Sequence, residues 1–227
     1  MYQVLLFDLD GTLTASGEGI TRSVQYALRK LGREAEDLKA LEVFVGPPLL
    51  EQFVRYCGMS EEEAVKGVHY YRERDNVTGL FENRPYEGIR EMLETLNGKG
   101  YTLGVASSKP DGLVKRILEH FGLTGYFQEI VGSDPDKMKM SKADVIEIIL
   151  DRLGYRDRRE DVVMIGDRNQ DVNGARQAGV SCIGVTYGYG SYEELSEAGA
   201  DKIVKSVKEL EEYLLKGQWK AGNSAEA

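Results

Sequence analysis

The segment Val4-Leu5-Leu6-Phe7-Asp8-Leu9-Asp10-Gly11-Thr12-Leu13 decides the fold of this chain. Four apolar residues precede two aspartates that lie two positions apart, and a glycine and a hydroxyl residue come close behind. If strand geometry continues, Asp8 and Asp10 point the same way, because the side chains of a strand alternate between two faces. Two carboxylates in one pocket repel each other, so one must be protonated or a cation must neutralise them. The segment therefore predicts a buried strand that ends in a reactive site, although Asp and Gly are also ordinary turn residues.

Beyond this segment, short apolar stretches alternate with stretches in which apolar residues recur at the spacing of a helix. The pattern predicts strands at residues 3–7, 102–106, 127–131, 162–165 and 182–185, with a short sixth strand at 202–204. It predicts helices at 87–96, 111–121, 143–153 and 172–178, and Ser141 followed by Asp144 resembles a capping box. This alternation indicates the α/β class, with a doubly wound parallel sheet and right-handed crossovers.

Residues 15–84 break that alternation because they contain no convincing strand. Helical spacing is found at 20–31, 48–57 and 60–74. We therefore expect an all-helical domain at 15–84, inserted into an α/β core that comprises residues 1–14 and 85–227.

The composition limits the partners of the protein. The chain has 227 residues, 41% of them apolar and 30% charged, with a net charge of −9. This acidity argues against a nucleic-acid partner, and no apolar stretch approaches the roughly 18–20 residues that span a bilayer. The two cysteines are interpreted as reduced thiols. We expect a cytoplasmic protein that binds neither nucleic acid nor membrane, as a monomer rather than a dimer.

Polar residues gather where the predicted strands end. In an open α/β sheet, ligands bind beyond the carboxyl ends of the strands. Carboxylates, hydroxyls and lysines follow the first four strands there: Asp8, Asp10, Ser107, Ser108, Lys109, Lys137, Lys139, Lys142, Asp167 and Asp171. Carboxylate oxygens are suited to Mg²⁺, and hydroxyl and ammonium donors are suited to phosphoryl oxygens. The strand ends therefore predict a site that binds Mg²⁺ together with a phosphate.

In this order, the motifs resemble those of haloacid dehalogenase (HAD) superfamily phosphatases that carry a helical cap. The resemblance rests on Asp8-Leu9-Asp10-Gly11-Thr12-Leu13, Ser107, a lysine near Lys142, and Gly166-Asp167 with Asp171. Residues 45–49 and 184–190 also resemble the phosphoglycolate phosphatase-like branch. The resemblance implies a Rossmann-like core and Mg²⁺-dependent hydrolysis of a small phosphorylated metabolite.

The resemblance also implies roles for the two aspartates of the first motif. Asp8 would be the nucleophile that forms an aspartyl-phosphate, and Asp10 the general acid and base. Mg²⁺ would be held by the Asp8 carboxylate, the main-chain carbonyl of Asp10 and the Asp167 carboxylate. Asp171 would bind the metal directly, bind it through water or orient the lysine, and these alternatives stay open.

The phosphate would be held by Ser107, Ser108 and Lys142. The family often has Lys-Pro before its helix, but no proline follows the lysines here. Lys142 is preferred because it lies at the predicted helix start, with Lys139 as the alternative.

In the inserted helical domain, arginines are natural readers of a second anionic group on the substrate. The candidates for substrate contact are Thr14, Arg22, Arg55 and Arg72, followed by Glu18, Tyr70 and Arg74, while Tyr187 and Tyr189 border the site. The alternative functions are a 5'-nucleotidase or pyrophosphatase of the same family, a sugar-phosphate mutase and a non-catalytic phosphate-binding protein. The mutase is disfavoured because Thr21-Arg22-Ser23 occupies the region where mutases of this type use His and Lys.

Overall fold

A six-stranded parallel sheet forms the centre of the protein. The computed structural model describes residues 2–34, 37–134 and 140–217. The strands are β1 (Val4–Phe7), β2 (Thr102–Pro110), β3 (Glu129–Ser133), β4 (Val162–Gly166), β5 (Ser181–Val185) and β6 (Lys202–Val204). They lie in the order β3-β2-β1-β4-β5-β6, and every pairing is parallel. The predicted doubly wound α/β fold is therefore confirmed.

Between β1 and the next core helix, the chain forms helices in the region predicted to be helical. These are α1 (Gly17–Lys30), α2 (Leu49–Arg55) and α3 (Glu61–Asp75), with short 3-10 turns at Ala40–Phe44 and Gly79–Phe81. Phe44 and Phe53 lie in a hydrophobic cluster separate from the two clusters that flank the sheet. The inserted helices thus have a core of their own. These helices cover one edge of the sheet.

The remaining helices flank the sheet. They are α4 (Ile89–Gly98), α5 (Asp111–His120), α6 (Lys142–Leu153), α7 (Asn169–Gln177), α8 (Tyr192–Ala198) and α9 (Val207–Lys216). Along β1, Leu5 and Phe7 belong to one core cluster and Val4 and Leu6 to the other. All four are buried, as expected for a parallel strand that is covered on both faces.

The start of α6 positions a lysine at the site. Ser141 accepts a hydrogen bond from the Asp144 N–H, and the Asp144 carboxylate accepts one from the Ser141 N–H, so the predicted capping box is present. Lys142 is therefore the first residue of the helix. Lys137 and Lys139, the other lysines of this connection, lie outside the described residues.

Several boundaries differ from the sequence-based prediction. Strand β2 continues to Pro110 rather than ending at 106, and its pairing with β3 shifts register between Ala106 and Pro110. Helices α8 and α9 were not predicted. In the described parts of the chain, no helix combines the length and apolar character needed to cross a membrane.

Candidate active site

Three buried carboxylates meet at the carboxyl edge of the sheet. Asp8 follows β1 and Asp167 follows β4, and these two strands are neighbours. Asp171 lies in the first turn of α7. Each residue is less than one tenth exposed, and one carboxylate oxygen from each lies within 4.8 Å of the others. The fold thus brings together three residues that are far apart in the sequence.

Lys142 is the cation that faces this cluster. Its Nζ lies 2.9 Å from Asp8 Oδ1 and 2.8 Å from Asp171 Oδ1. It also donates a hydrogen bond of 2.9 Å to the carbonyl of Ala106, a buried residue of β2. Burial disfavours the charged amine, but the carboxylates of Asp171 and Asp8 outweigh burial and raise the pKa of Lys142. The lysine is therefore held in its charged form between two acids.

The charge of the cluster suits a divalent cation. Three carboxylates against one ammonium leave two negative charges in a buried place. Burial raises the pKa of Asp8 to about 6, an increase that Lys142 opposes, and burial also raises the pKa of Asp167 well above its ordinary value. Mg²⁺ prefers oxygen ligands of this kind and would neutralise the excess. The donor set therefore fits Mg²⁺, with Asp8, Asp167 and Asp171 as its available carboxylates.

Asp10 has a different partner from Asp8. Its Oδ2 accepts a hydrogen bond of 3.0 Å from Lys109 Nζ at the end of β2, and both side chains are about nine-tenths buried. Its second oxygen, Oδ1, is buried and accepts no hydrogen bond from the described residues. The two aspartates of the first motif therefore face two different lysines. The sequence placed Lys109 at this strand end but did not predict its contact with Asp10.

Two serines lie on the same side of the site. Ser107 is buried and its Oγ accepts a hydrogen bond from the Lys109 N–H, while Ser108 is exposed. Both line the cavity into which Asp8 and Asp10 open. The hydroxyl of Ser107 is thus available beside the carboxylates.

The cavity has a volume of about 430 Å³ and lies between the sheet edge and the inserted helices. Its polar floor is formed by the residues of the strand ends, and much of its wall is apolar, with Ile20, Phe44, Leu49, Val68, Leu113 and Met140. Such a volume is typical of a site for a small molecule.

Of the four residues expected to read the substrate from residues 14–84, only Arg72 lines this cavity. Thr14 is buried, where its hydroxyl donates to the Leu9 carbonyl and accepts from Asn83. Arg22 forms ion pairs with Glu18 and Glu82. Arg55 is exposed on α2 and is absent from the cavity wall.

The further candidates for substrate contact do not line the cavity either. Arg74 forms an ion pair with Glu82, and Glu18 pairs with Arg22, so both engage other side chains outside the cavity. Neither Tyr187 nor Tyr189 lines the cavity, but the Tyr189 N–H donates a 2.8 Å hydrogen bond to Asp167 Oδ2. The Tyr189 hydroxyl accepts a 2.5 Å hydrogen bond from the Gly17 N–H, which connects the carboxylate cluster with the start of α1.

The end of α3 and the residue that follows it supply three cavity residues that the sequence did not predict: Tyr71, Asp75 and Asn76. Tyr71 and Asp75 are both buried and lie four positions apart, a spacing that places side chains on one helix face. That spacing is the only signal in the sequence that could have identified them. It is insufficient, because it does not say which face of the helix meets the core.

Comparisons with known proteins agree with this geometry. The chain is 50% identical over 194 residues to a Pseudomonas aeruginosa protein named 5'-nucleotidase, covering 86% of this chain and 87% of that protein. It is 35% identical over 214 residues to Mycobacterium tuberculosis tyrosine-protein kinase PtkA, covering 93% and 72%. Proteins named phosphoglycolate phosphatase are more distant, with 27% identity over 220 residues for that of Vibrio parahaemolyticus, covering 93% of this chain and 96% of that protein.

A solved structure extends the similarity to the fold. The crystal structure described as that of a predicted phosphatase from Clostridium acetobutylicum is 49% identical in sequence, with a TM-score of 0.90. The similarity covers 95% of this chain and 99% of that one. A family model described as haloacid dehalogenase-like hydrolase matches residues 5–185. The chain therefore belongs to the haloacid dehalogenase-like hydrolases, and it is a phosphatase-type hydrolase within that family.

Proposed function

We propose that this protein is an Mg²⁺-dependent phosphomonoesterase that transfers the phosphoryl group of a small metabolite to Asp8 and then to water. The observation that carries the proposal is the buried cluster of Asp8, Asp167 and Asp171 around Lys142. Burying these acids is costly unless a cation is bound there, and a bound cation would in turn attract an anionic substrate. We also propose that residues 15–84 form a cap domain over the core of 1–14 and 85–227.

In the first step, an oxygen of the Asp8 carboxylate attacks phosphorus. The bond between phosphorus and the ester oxygen breaks, its electron pair passes to that oxygen, and Asp10 supplies the proton that makes the leaving group a neutral alcohol. Asp8 belongs to the carboxylate cluster and Asp10 lies outside it, which supports this division of roles.

In the second step, Asp10 takes a proton from a water molecule that attacks the phosphorus of the aspartyl-phosphate. The bond between phosphorus and the Asp8 oxygen breaks, which releases inorganic phosphate and restores the carboxylate. Ser107 and Ser108 hold the transferring oxygens, and Lys142 keeps a positive charge beside them as negative charge develops. Asp8, Asp167 and Asp171 would hold Mg²⁺, which would supply further neutralisation of that charge.

A 5'-nucleotide is the substrate class that the similarities favour, because the 50% identical relative carries the name 5'-nucleotidase. Phosphoglycolate is a second candidate, supported by more distant relatives of that name. A sugar-phosphate mutase receives less support, since His69 and His120 do not line the cavity. A pyrophosphatase or a non-catalytic phosphate-binding protein has no separate observation in its favour.

The test is phosphate release from a panel of phosphorylated metabolites, measured with Mg²⁺ and with EDTA, for the wild type and for Asp8→Asn. We expect at least one substrate with kcat/KM above about 10⁴ M⁻¹s⁻¹. That activity should disappear with EDTA and in Asp8→Asn, because an amide cannot replace the nucleophilic carboxylate. Equal rates in the wild type and in Asp8→Asn would contradict the proposal.

A further inference from the structure

We infer that the cavity selects a neutral leaving group with hydroxyl donors, of the nucleoside class, and that Asp75 is the residue that reads those hydroxyls. The inference rests on the proposed function, since it assumes that the phosphate of the substrate lies at Asp8. It concerns the opposite wall, where the end of α3 contributes the acceptors Asp75 and Asn76 beside the cation Arg72.

Asp75 is held firmly on this wall. It is only 2% exposed, and the Ser23 hydroxyl approaches its Oδ1 at 3.5 Å. The Tyr71 hydroxyl also hydrogen-bonds to the carboxylate. The backbone at Gly79 is so close that a Cβ there would lie 2.7 Å from Asp75 Oδ1. The carboxylate is therefore positioned by neutral neighbours before a substrate enters.

No direct ion pair neutralises Asp75. Within the described ranges, no lysine or arginine nitrogen lies within 4.0 Å of its carboxylate. Lys109 attracts it from a greater distance, but the Lys109 ammonium donates to Asp10. A substrate hydroxyl can therefore donate to Asp75 without displacing a salt bridge.

A second acceptor adjoins the first. Asn76 Oδ1 also belongs to the cavity wall, is buried, and accepts no hydrogen bond from the part of the chain that the structure describes. A buried oxygen without a donor is costly, and a ligand donor would remove that cost. Asp75 and Asn76 together thus require donors on the substrate.

The charges of the wall disfavour an anionic leaving group. Among the described residues, four acidic and two basic ones line the cavity, namely Asp8, Asp10, Asp75 and Asp134 against Arg72 and Lys109. Lys109 is already paired with Asp10, and Arg72 is exposed. A carboxylate next to the phosphate, as in phosphoglycolate, would meet repulsion from Asp75.

The position of Asp75 limits how far its partner lies from phosphorus. Asp75 and Asp10 line the same cavity of about 430 Å³, so Asp75 shares this space with the acid assigned to the leaving oxygen. We therefore expect its partner donors on the leaving group, as sugar hydroxyls are. Farther out, the apolar side chains of Phe44, Leu49 and Val68 line the cavity and suit a planar ring.

The experiment compares kcat/KM for adenosine 5'-monophosphate, its 2',3'-dideoxy analogue, 2-phosphoglycolate and p-nitrophenyl phosphate. In the wild type we expect the nucleotide to exceed the dideoxy analogue and phosphoglycolate by about tenfold or more each. Asp75→Ala should lower the rate for the nucleotide by about tenfold and abolish its advantage over the dideoxy analogue. The loss for p-nitrophenyl phosphate, which has no such donors, should be smaller.

Two further variants separate recognition from folding. Asp75→Asn keeps an acceptor oxygen and similar volume, so it should retain most of the nucleotide preference while admitting phosphoglycolate better than the wild type does. Glu73→Gln makes the matching change at an exposed residue of the same helix, paired with Tyr26, and should leave all four ratios unchanged.

The results distinguish failure of the inference from failure of the proposed function. Mg²⁺-dependent hydrolysis with phosphoglycolate preferred, or equal losses for all four substrates in both Asp75 variants, would overturn the inference while the proposed function stands. Absence of hydrolysis for every substrate, including p-nitrophenyl phosphate, would overturn the proposed function and the inference together.

Discussion

Asp8 and Asp10 are separated by one residue, but their surroundings give them different properties. Asp8 lies beside Lys142 and the other carboxylates of the cluster, whereas Asp10 lies beside Lys109. Asp8 belongs to the carboxylate cluster and Asp10 does not. The two positions thus differ in their surroundings, as the proposed roles of nucleophile and general acid require.

Lys142 provides the first test at this scale. Lys142→Ala removes the ammonium from between Asp8 and Asp171, and we expect kcat/KM to fall by about 100-fold, as for loss of one charge-stabilising donor. Steady-state phosphate release measures the change. The matched control is Lys115→Ala, which removes an exposed lysine paired with Asp111 on α5. Similar activities of the two variants would show that Lys142 has no role in phosphoryl transfer.

The carboxylate cluster predicts a pH-dependent effect of Mg²⁺ on stability. Burial raises the pKa of Asp8 to about 6 and that of Asp167 well above its ordinary value. Between about pH 4 and 6 the unfolded chain therefore releases protons that the metal-free native state retains, so native stability falls as pH rises. Mg²⁺ bound at the cluster would replace those protons as the source of neutralisation.

We therefore expect saturating Mg²⁺ to raise the melting temperature more at about pH 7.5 than at about pH 5. A concentration of 100 times Kd would add about 2.7 kcal/mol to the free energy of unfolding. Thermal melts with Mg²⁺ and with EDTA at both pH values measure the effect. A gain that does not depend on pH would contradict the assignment of these carboxylates to the metal.

At the scale of elements, the turn after β1 is as important as the aspartates that it carries. Gly11 has a φ of 85°, and a Cβ at this position would lie 2.1 Å from Asp167 Oδ2. Glycine is thus required for the backbone conformation and for the close approach of Asp167. The turn and the end of β4 must pack together before the carboxylate cluster can form.

Gly11→Ala should displace Asp167 and weaken Mg²⁺ binding by about tenfold or more, within the range for disturbed metal sites. Isothermal titration with Mg²⁺ measures the affinity directly, independently of turnover. Gly112→Ala is the control, because a Cβ at this helical glycine meets no atom within 4 Å. Unchanged Mg²⁺ affinity in Gly11→Ala would exclude Asp167 from the metal site.

The sequence predicts the elements that carry strong local signals. β1 is a continuous apolar run and α6 begins with a capping box, so both were located to within a residue or two. The contact of Lys109 with Asp10 depends on the extension of β2 beyond its apolar part. Asp75 reaches the cavity only through the packing of α3, which short-range patterns do not encode. The seven residues of α8 give only a short pattern, whereas α9, which was also missed, has ten residues and is as long as the predicted α4.

At the scale of the whole molecule, the inserted helices cover the carboxyl edge of the sheet. Arg168, next to Asp167, donates a 2.6 Å hydrogen bond to the Val45 carbonyl of the inserted segment. Arg116 of α5 donates to the Asn76 carbonyl at the end of α3. These contacts, together with the hydrogen bond from the Gly17 N–H to the Tyr189 hydroxyl, hold the helices over the cavity. The helices thereby restrict what can enter.

This cover predicts discrimination by size. Free phosphotyrosine should be hydrolysed with a kcat/KM about 100-fold higher than a phosphotyrosyl residue within a folded protein, because a polypeptide cannot enter while the helices cover the site. Phosphate release from both substrates at equal concentration measures the ratio. A ratio near one would show that the inserted helices do not restrict access.

The most direct test of the central claim is to identify the residue that carries the phosphoryl group. The protein is mixed with substrate and Mg²⁺, quenched in acid within milliseconds, and digested for mass spectrometry. We predict one phosphoryl group on the peptide that contains Asp8 and none in Asp8→Asn, with Asp151→Asn, an exposed aspartate of α6, behaving as the wild type. Phosphorylation of another residue, or rapid turnover without any phosphorylated peptide, would contradict the mechanism.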